Sequence, residues 1–135
     1  MKLFGFGRDE KMKIIILQGS PNKKGSTAIL TEEFAKGAEE AGHDVETFDV
    51  AHANIHPCTG CVTCGYEGPC VQKDDVEAIR EKILDADMLV LATPLYYYGM
   101  SAQLKIMLDS SYFDCRLVEY VCHDAEAGGK PGREE

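Results

Sequence analysis

The chain has 135 residues, 44% of them apolar, and a formal net charge of −9. This composition suits one domain with a hydrophobic core and excludes a disordered acidic tail. The acidic balance excludes a nucleic-acid binder, which needs basic residues against the phosphates. No apolar run approaches the length of a membrane span, and the N-terminus lacks the apolar segment of a signal peptide. We therefore predict no membrane partner and a cytoplasmic location, where six cysteines favour metal or redox chemistry over structural disulfides.

The first third of the chain predicts a leader, a strand and a helix. Residues 1–12 are predicted to be a leader without fixed structure, and the β-branched run Ile14–Leu17 predicts a strand buried on both faces. From Ser26 the apolar residues recur at helical spacing, and Gly42 stands where a helix usually ends. The predicted apolar stripe of this helix consists of Leu30, Phe34, Ala38 and Ala41.

The middle third predicts a strand, a long loop and a second helix. Residues 45–50 alternate apolar and polar side chains as a strand does, and residues 51–73 form a loop rich in Gly, Pro and Cys. Asp74 or Asp75 then caps a helix. The predicted buried face of this helix consists of Val76, Ile79 and Ile83.

The last predicted elements are a third buried strand over residues 88–92 and a helix capped by Ser101. The buried face of that helix is predicted to contain Leu104, Met107 and Leu108. Residues 113–135 are predicted to form an irregular C-terminal tail, which leaves residues 13–112 as the folded domain.

Alternating buried strands and helices predict an α/β fold with a doubly wound parallel sheet. With the strand order 2-1-3, the switch point lies between the first and third strands, and ligands bind beyond the carboxyl ends of those strands. The loops that follow them, residues 19–27 and 93–99, contain the most unusual chemistry of the chain.

The loop over residues 19–27 reads Gly-Ser-Pro-Asn-Lys-Lys-Gly-Ser-Thr. Between a strand and a helix, such a loop presents backbone N–H groups and hydroxyls at the positive end of the helix dipole, which makes a phosphate site. It matches neither the Walker A loop nor the dinucleotide-binding Gly pattern. The alternative is an ordinary turn and helix cap, since these residues are common in turns.

The loop over residues 93–99 contains three consecutive tyrosines, Tyr96, Tyr97 and Tyr98, followed by Gly99. Successive side chains diverge, so the three rings cannot all lie in the core. At a strand end they could frame a flat aromatic ligand, with Gly99 allowing the backbone to approach the ring edge. The alternative is a loop that packs on a helix or on an oligomer partner.

Taken together, the loops give the chain a family resemblance. Residues 13–109 resemble the flavodoxin-like NAD(P)H-dependent FMN reductases and, within them, the iron-sulfur flavoproteins. The matching segments, in unbroken order, are 19–21 with 25–27, 57–61 with Cys64 and Cys70, 74–75, 93–96, 99–105 and 108–109.

The resemblance implies a site for FMN. The residues implied to hold the FMN phosphate are Ser20, Asn22, Ser26 and Thr27. The residues implied to line the isoalloxazine ring are Pro94, Leu95, Tyr96 and Gly99. The family commonly has Arg where this chain has Asn22, so a charged partner of the phosphate is lost unless Lys23 or Lys24 replaces it.

Four cysteines crowd into the middle loop with the spacing C-x2-C-x2-C-x5-C. They are Cys58, Cys61, Cys64 and Cys70. Four thiolates this close can bind a [4Fe–4S] cluster or a zinc ion. Zinc sites more often use two well-separated C-x2-C pairs. The spacing in this chain is like that of the iron-sulfur flavoproteins. Free thiols that pack or take part in redox chemistry are the remaining alternative, since many similar flavin reductases carry such a loop without a cluster.

The resemblance implies an FMN-dependent NAD(P)H oxidoreductase or electron-transfer flavoprotein. Reduced nicotinamide would be the donor, and a quinone, a nitro compound or free flavin the small-molecule acceptor. With a cluster, a ferredoxin-like protein becomes a possible donor. No catalytic side chain is predicted, because in a flavin enzyme the protein mainly supplies orientation and electrostatics. The family further implies a homo-oligomer. The alternative function is a non-enzymatic thiol or metal-binding redox module on the same scaffold.

The length bears on the fold that the resemblance implies. A five-stranded flavodoxin-like sheet needs two βα units of about 30 residues each beyond the third strand and its helix, whereas 26 residues follow Asp109. The sequence thus predicts the N-terminal three-stranded part of the fold, with the later strands missing. We expect such a chain to bind FMN weakly and to unfold with poor cooperativity.

Overall fold

The computed structural model describes residues 10–66 and 68–111 of the chain. The predicted tail over residues 113–135 and most of the predicted leader lie outside these residues. In chain order the elements are β1 (Lys13–Gln18), α1 (Ser26–Glu40), β2 (Asp44–Asp49), α2 (Thr63–Tyr66), α3 (Val76–Leu84), β3 (Met88–Ala92) and α4 (Ala102–Ser111). The strand and helix predictions are confirmed to within a residue or two, and the short helix α2 was not predicted. Across the described ranges, no helix has the length and apolarity to cross a membrane.

The three strands form one parallel sheet in the order β2-β1-β3. Ile16 of β1 lies opposite Thr47 of β2 and Val90 of β3. Strand β1 lies in the centre of the sheet, and its residues 14–17 are at most 5% exposed. It is therefore the strand buried on both faces that the β-branched run predicted. The predicted α/β fold and its strand order are therefore confirmed.

The main core lies on one face of the sheet, beneath α3 and α4. Alternate residues of β1, Ile15 and Leu17, face these helices and join one apolar cluster with them. The helix residues of the cluster are Val76, Ile79, Ile83, Leu104 and Met107. These are the faces that the helical spacing predicted, apart from Leu108, which is half-buried at the edge of the cluster.

Helix α1 covers the opposite face of the sheet, and its predicted apolar stripe is wrong. The side chains that it buries are the small ones of Ala28 and Thr31, whereas Leu30 is 70% exposed and Phe34 44%. The reason is that α1 lies over β1 and β2, so its larger apolar residues project over the flank towards β3. There they border an open groove of about 260 Å³ together with Val90.

Strand β3 is not the buried strand that its apolar sequence predicted. Met88, Leu89 and Leu91 are each about two-fifths exposed. In the part of the chain that the structure describes, β3 pairs with β1 on one side only, and neither helix layer extends fully across it. A continuous apolar run is typical of a strand covered on both faces, and here position at the edge of the sheet overrides that preference.

Candidate functional site

The two loops singled out by the sequence begin side by side. The Gly19 amide donates to the Ala92 carbonyl across a distance of 2.8 Å, which joins the ends of β1 and β3. Since both strands run in the same direction, the loops leave from the same edge of the sheet. The predicted phosphate loop and the predicted ring-binding loop are therefore neighbours, as the strand order required.

Within the first loop, Ser20 and Asn22 bond to the loop itself. The Ser20 side chain is buried, and its Oγ lies 3.2 Å from the Asn22 carbonyl and 3.3 Å from the Asn22 amide. The Asn22 Oδ1 accepts from the Lys24 amide, and the Asn22 carbonyl accepts from the Gly25 amide. These two predicted phosphate ligands are occupied in shaping the loop.

The start of α1 offers the better anion site. Gly25 occupies the N-cap position in an extended conformation, and no side chain caps the helix. The first N–H groups of any helix lack a partner within that helix, and they stand at the positive end of its dipole. In α1 these groups include the amides of Ser26 and Thr27, two of the predicted phosphate ligands.

The second loop closes as a tight hairpin turn. Tyr96 and Gly99 exchange two backbone hydrogen bonds, of 2.9 and 3.1 Å. The two residues between them, Tyr97 and Tyr98, have φ angles of +44° and +64°. Their rings contact each other edge to face and are 97% and 93% exposed. Left-handed backbone at two aromatic residues is strained, and such strain is typically found at binding sites.

Ser101 fixes the position of one loop against the other. Its fully buried Oγ donates to the Gly19 carbonyl at 2.6 Å and accepts from the Leu104 amide at 3.2 Å. Its amide donates to the Thr93 hydroxyl at 2.9 Å. The serine thus links the start of the first loop, both ends of the second loop and the first turn of α4. Sequence analysis predicted the helix cap and missed the contact with Gly19.

The four cysteines line one small hollow, together with His56 and Asp74. Cys58 and Cys61 are exposed, while Cys64 and Cys70 are half-buried. The backbone is left-handed on either side of Cys61: Gly60, which adopts this conformation freely, has a φ angle of +71°, and Val62 has one of +63°. A β-branched residue in this conformation is rare outside sites where the surrounding structure holds it.

The thiols of the hollow differ in acidity. Hydrogen bonds from the Thr63 backbone and side chain lower the pKa of Cys61. Burial raises the pKa of Cys64, and the charges of Cys70, Cys61 and Cys58 raise it further. Neighbouring negative charges disfavour the thiolate form, which is why they raise the pKa of Cys64.

The donor set of the hollow, four thiols, fits a metal group that takes sulfur ligands. Within residues 10–66 and 68–111, no three His, Cys, Asp or Glu side chains converge as ligands of one ion do. Thiolates around one zinc ion must all lie about 2.3 Å from it. Each thiolate of a [4Fe–4S] cube binds a different iron, so its four sulfur ligands lie further apart. Four thiols line the hollow, which is the number of protein ligands that either group takes.

The comparisons with known proteins agree with these features. The sequence model described as NADPH-dependent FMN reductase matches residues 12–132. An iron-sulfur flavoprotein of Methanocaldococcus jannaschii is 40% identical over 100 residues, which cover 74% of this chain and 52% of that protein. An iron-sulfur flavoprotein of Archaeoglobus fulgidus is 36% identical over 98 residues, or 73% of this chain and 44% of that protein.

Among solved structures, the NAD(P)H:quinone oxidoreductase of Methanothermobacter marburgensis is similar with a TM-score of 0.66 and 27% identity. The similarity covers 76% of this chain and 54% of that one. The chain spans about half the length of the curated relatives that it matches.

Proposed function

The chain belongs to the family of NADPH-dependent FMN reductases, as its loops indicated, and we propose that it is an FMN-dependent NAD(P)H oxidoreductase that passes electrons between FMN and a [4Fe–4S] cluster. The observation that carries the proposal is that two loops leave the sheet side by side, one leading to the uncapped start of α1 and the other to the strained tyrosine turn. The names of the relatives support the cluster, and so does the hollow lined by four thiols.

The site fits FMN in both its parts. The free N–H groups at the start of α1 would bind the phosphate through backbone donors, and Ser20 and Asn22 would keep those donors in place by holding the loop. The second loop, with Pro94, Leu95, Tyr96 and Gly99, would cover the flat ring. FMN bound there would supply hydride acceptance and one-electron release.

The residues of this chain would orient FMN rather than act as acids or bases. Ser101 holds the two loops at a fixed separation, which sets the distance between the phosphate and ring positions. The tyrosines would exclude water from one side of the ring. Orientation of this kind is the main contribution of a protein to flavin chemistry, so no further acid or base is required.

The four cysteines would ligate the cluster, which supplies one-electron transfer when bound. The Gly60 amide already points at the Cys58 sulfur at 3.4 Å, and the Thr63 hydrogen bonds favour the Cys61 thiolate. Donors of this kind stabilise the anionic sulfur that a cluster needs.

The partners that we propose follow from this chemistry. Reduced nicotinamide or a ferredoxin-like protein would donate electrons, and a quinone, a nitro compound or free flavin would accept them. A ferredoxin-like donor would need a basic patch, because this chain carries a net charge of −9. We also propose that the chain forms a homo-oligomer, which would complete the flavin site.

Removal of a single backbone N–H donor tests the proposed phosphate site. In Ser26→Pro the helix loses one N–H and no helical hydrogen bond, and Gly25 already has the extended backbone that a following proline requires. Ser26→Ala is the matched control, which removes the hydroxyl and keeps the N–H. We expect Ser26→Pro to weaken FMN binding by about tenfold or more, the effect of one charge-assisted bond. Riboflavin, which lacks the phosphate, should bind both variants alike. Equal affinity of the unmodified chain for FMN and riboflavin would refute the site.

Anaerobic purification tests the cluster against the alternative module. Flavin absorption bands with a broad shoulder that iron chelation removes are the expected result. A colourless chain with one zinc per molecule would instead favour the non-enzymatic thiol or metal-binding module.

A further inference from the structure

The cysteine loop is closed at its base by a stem of two segments, residues 54–57 and 72–76. Asn54 and Asp75 pair in both directions: the Asn54 amide donates to the Asp75 carboxylate at 2.8 Å, and the Asp75 amide donates to the Asn54 carbonyl at 3.0 Å. The Gln72 side-chain amide donates to the Pro57 carbonyl at 2.8 Å. The stem thus joins the residues just before Cys58 to the residues just after Cys70.

Asp74 is the buried member of this stem. Its side chain is 4% exposed, and its two oxygens serve different segments. Oδ2 accepts from the His56 amide at 2.9 Å, and Oδ1 accepts from the Val76 amide at the start of α3 at 3.1 Å. The His56 ring lies 3.4 Å from the same carboxylate, and the His56 carbonyl accepts from Ser110 of α4 at 3.3 Å.

The position of Asp74 lets it control where the first cysteine of the loop lies. It ties the residue two positions before Cys58 to a helix that the apolar core holds in place. A buried carboxylate is costly unless its oxygens are bonded, so the two amides and the carboxylate hold one another in a single geometry. Apart from Ile55, which packs against the apolar core, the other links at the base of the loop are hydrogen bonds of exposed groups.

We propose that Asp74 is a positioning residue, which holds Cys58 and Cys70 at one hollow before any group binds there. The role rests on the proposed function, in which these thiols ligate a cluster. A loop already ordered in its bound form loses less conformational entropy on binding. Asp74 would therefore raise the affinity of the four thiols for the cluster without touching it.

The test uses the full chain with Asp74→Asn, and Asp44→Asn as the control. Asparagine keeps the shape of the side chain but offers one acceptor oxygen, so one of the two amides loses its partner and faces an NH₂ group. Asp44 is an exposed aspartate that pairs with Lys11 at the opposite edge of the sheet.

The first readout needs no cluster. In chains that keep only Cys58 and Cys70, with the other cysteines replaced by serine, a glutathione redox buffer measures the effective concentration of the two thiols. We expect Asp74→Asn to lower it by about tenfold, as the loss of one bond to a charged group predicts. Asp44→Asn should leave it unchanged.

The second readout is cluster content after reconstitution with iron and sulfide in chains with all six cysteines. Asp74→Asn should hold less iron and lose it faster to a chelator, while its FMN affinity stays that of the unmodified chain. An unchanged effective concentration would overturn the proposal, and so would an equal loss of FMN affinity, which would mean general destabilisation. If the effective concentration falls but the unmodified chain takes up no iron, the positioning role stands and the proposed cluster fails.

Discussion

Replacing Gly19 by alanine is expected to separate the two loops of the site. A Cβ built on Gly19 would lie 2.5 Å from the Leu104 Cβ and 2.9 Å from the Ser101 Oγ. The optimal distance between such carbon atoms is about 3.5–4.0 Å, so α4 must move away by about 1 Å. The clash involves atoms close to the backbone, and rotation of a side chain cannot relieve it.

The size of the effect follows from two contributions. An extra methyl group in a packed core costs about 1–3 kcal/mol. The shift also breaks the hydrogen bond from Ser101 to the Gly19 carbonyl, which contributes about 0.5–1.5 kcal/mol. Gly19→Ala should therefore lower the free energy of unfolding by about 1.5–4.5 kcal/mol.

Gly37→Ala is the matched control for this substitution. Gly37 lies inside α1, and a Cβ there would meet no atom within 4 Å. Alanine favours a helix over glycine by about 0.5–1 kcal/mol, so the same chemical change should raise the stability of the chain. A loss of stability in Gly19→Ala together with a gain in Gly37→Ala would show that Gly19 is required by packing, and not that any glycine of this chain resists replacement.

Urea unfolding of the full chain, followed by far-ultraviolet circular dichroism, compares the midpoint of each variant with that of the unmodified chain, a comparison that holds even where unfolding is poorly cooperative. FMN titration of the folded variants adds the functional consequence, because Gly19 begins the loop that we propose for the phosphate. A Gly19→Ala variant as stable as the unmodified chain would refute the close approach of β1 and α4. A destabilised variant with unchanged FMN affinity would show that the loops need not be held together.

Three further predictions concern single features of the site. Ser101→Ala should lower stability by about 1–3 kcal/mol in urea unfolding, because the Gly19 carbonyl and the Leu104 amide lose a buried partner. Replacing Tyr97 and Tyr98 by Asn-Gly, the pair that this turn prefers, should raise the melting temperature; an unchanged value would mean that the tyrosines are not strained. In the reduced, metal-free chain, Cys61 should be alkylated by iodoacetamide at lower pH than Cys64, because hydrogen bonds lower the pKa of Cys61 and burial raises that of Cys64. Peptide mass spectrometry over a pH series measures the order of labelling, and the reverse order would contradict these environments.

The sequence predicted the layout of the fold because that layout depends on local patterns. The run Ile14–Leu17 specified the central strand, and the spacing of Val76, Ile79 and Ile83 specified the buried face of α3. The same kind of pattern failed for Leu30 and for β3. Periodicity shows which side chains share a face, but how far a neighbouring layer extends over that face is a property of the tertiary arrangement.

The candidate site was predicted in position but not in detail. The strand order placed both loops at one edge of the sheet, and the hydrogen bond between Gly19 and Ala92 confirms that they are neighbours. The strain at Tyr97, Tyr98 and Val62 was not foreseen, since none of these residue types favours a left-handed backbone. The commitment of Ser20 and Asn22 to their own loop was equally invisible in the spacing.

Ser101 and Asp74 show why such details escape pattern analysis. Each is a buried polar residue beside the first turn of a helix, and each also bonds a segment far away in the chain: Gly19 for the serine and His56 for the aspartate. Loops bury few apolar side chains, so their backbone groups must find specific partners. A residue that caps a helix is well placed to serve as such a partner, because the helix holds it rigidly. The sequence therefore indicates that such a residue caps a helix. Its hydrogen bond to a distant segment of the chain is visible only in the three-dimensional structure.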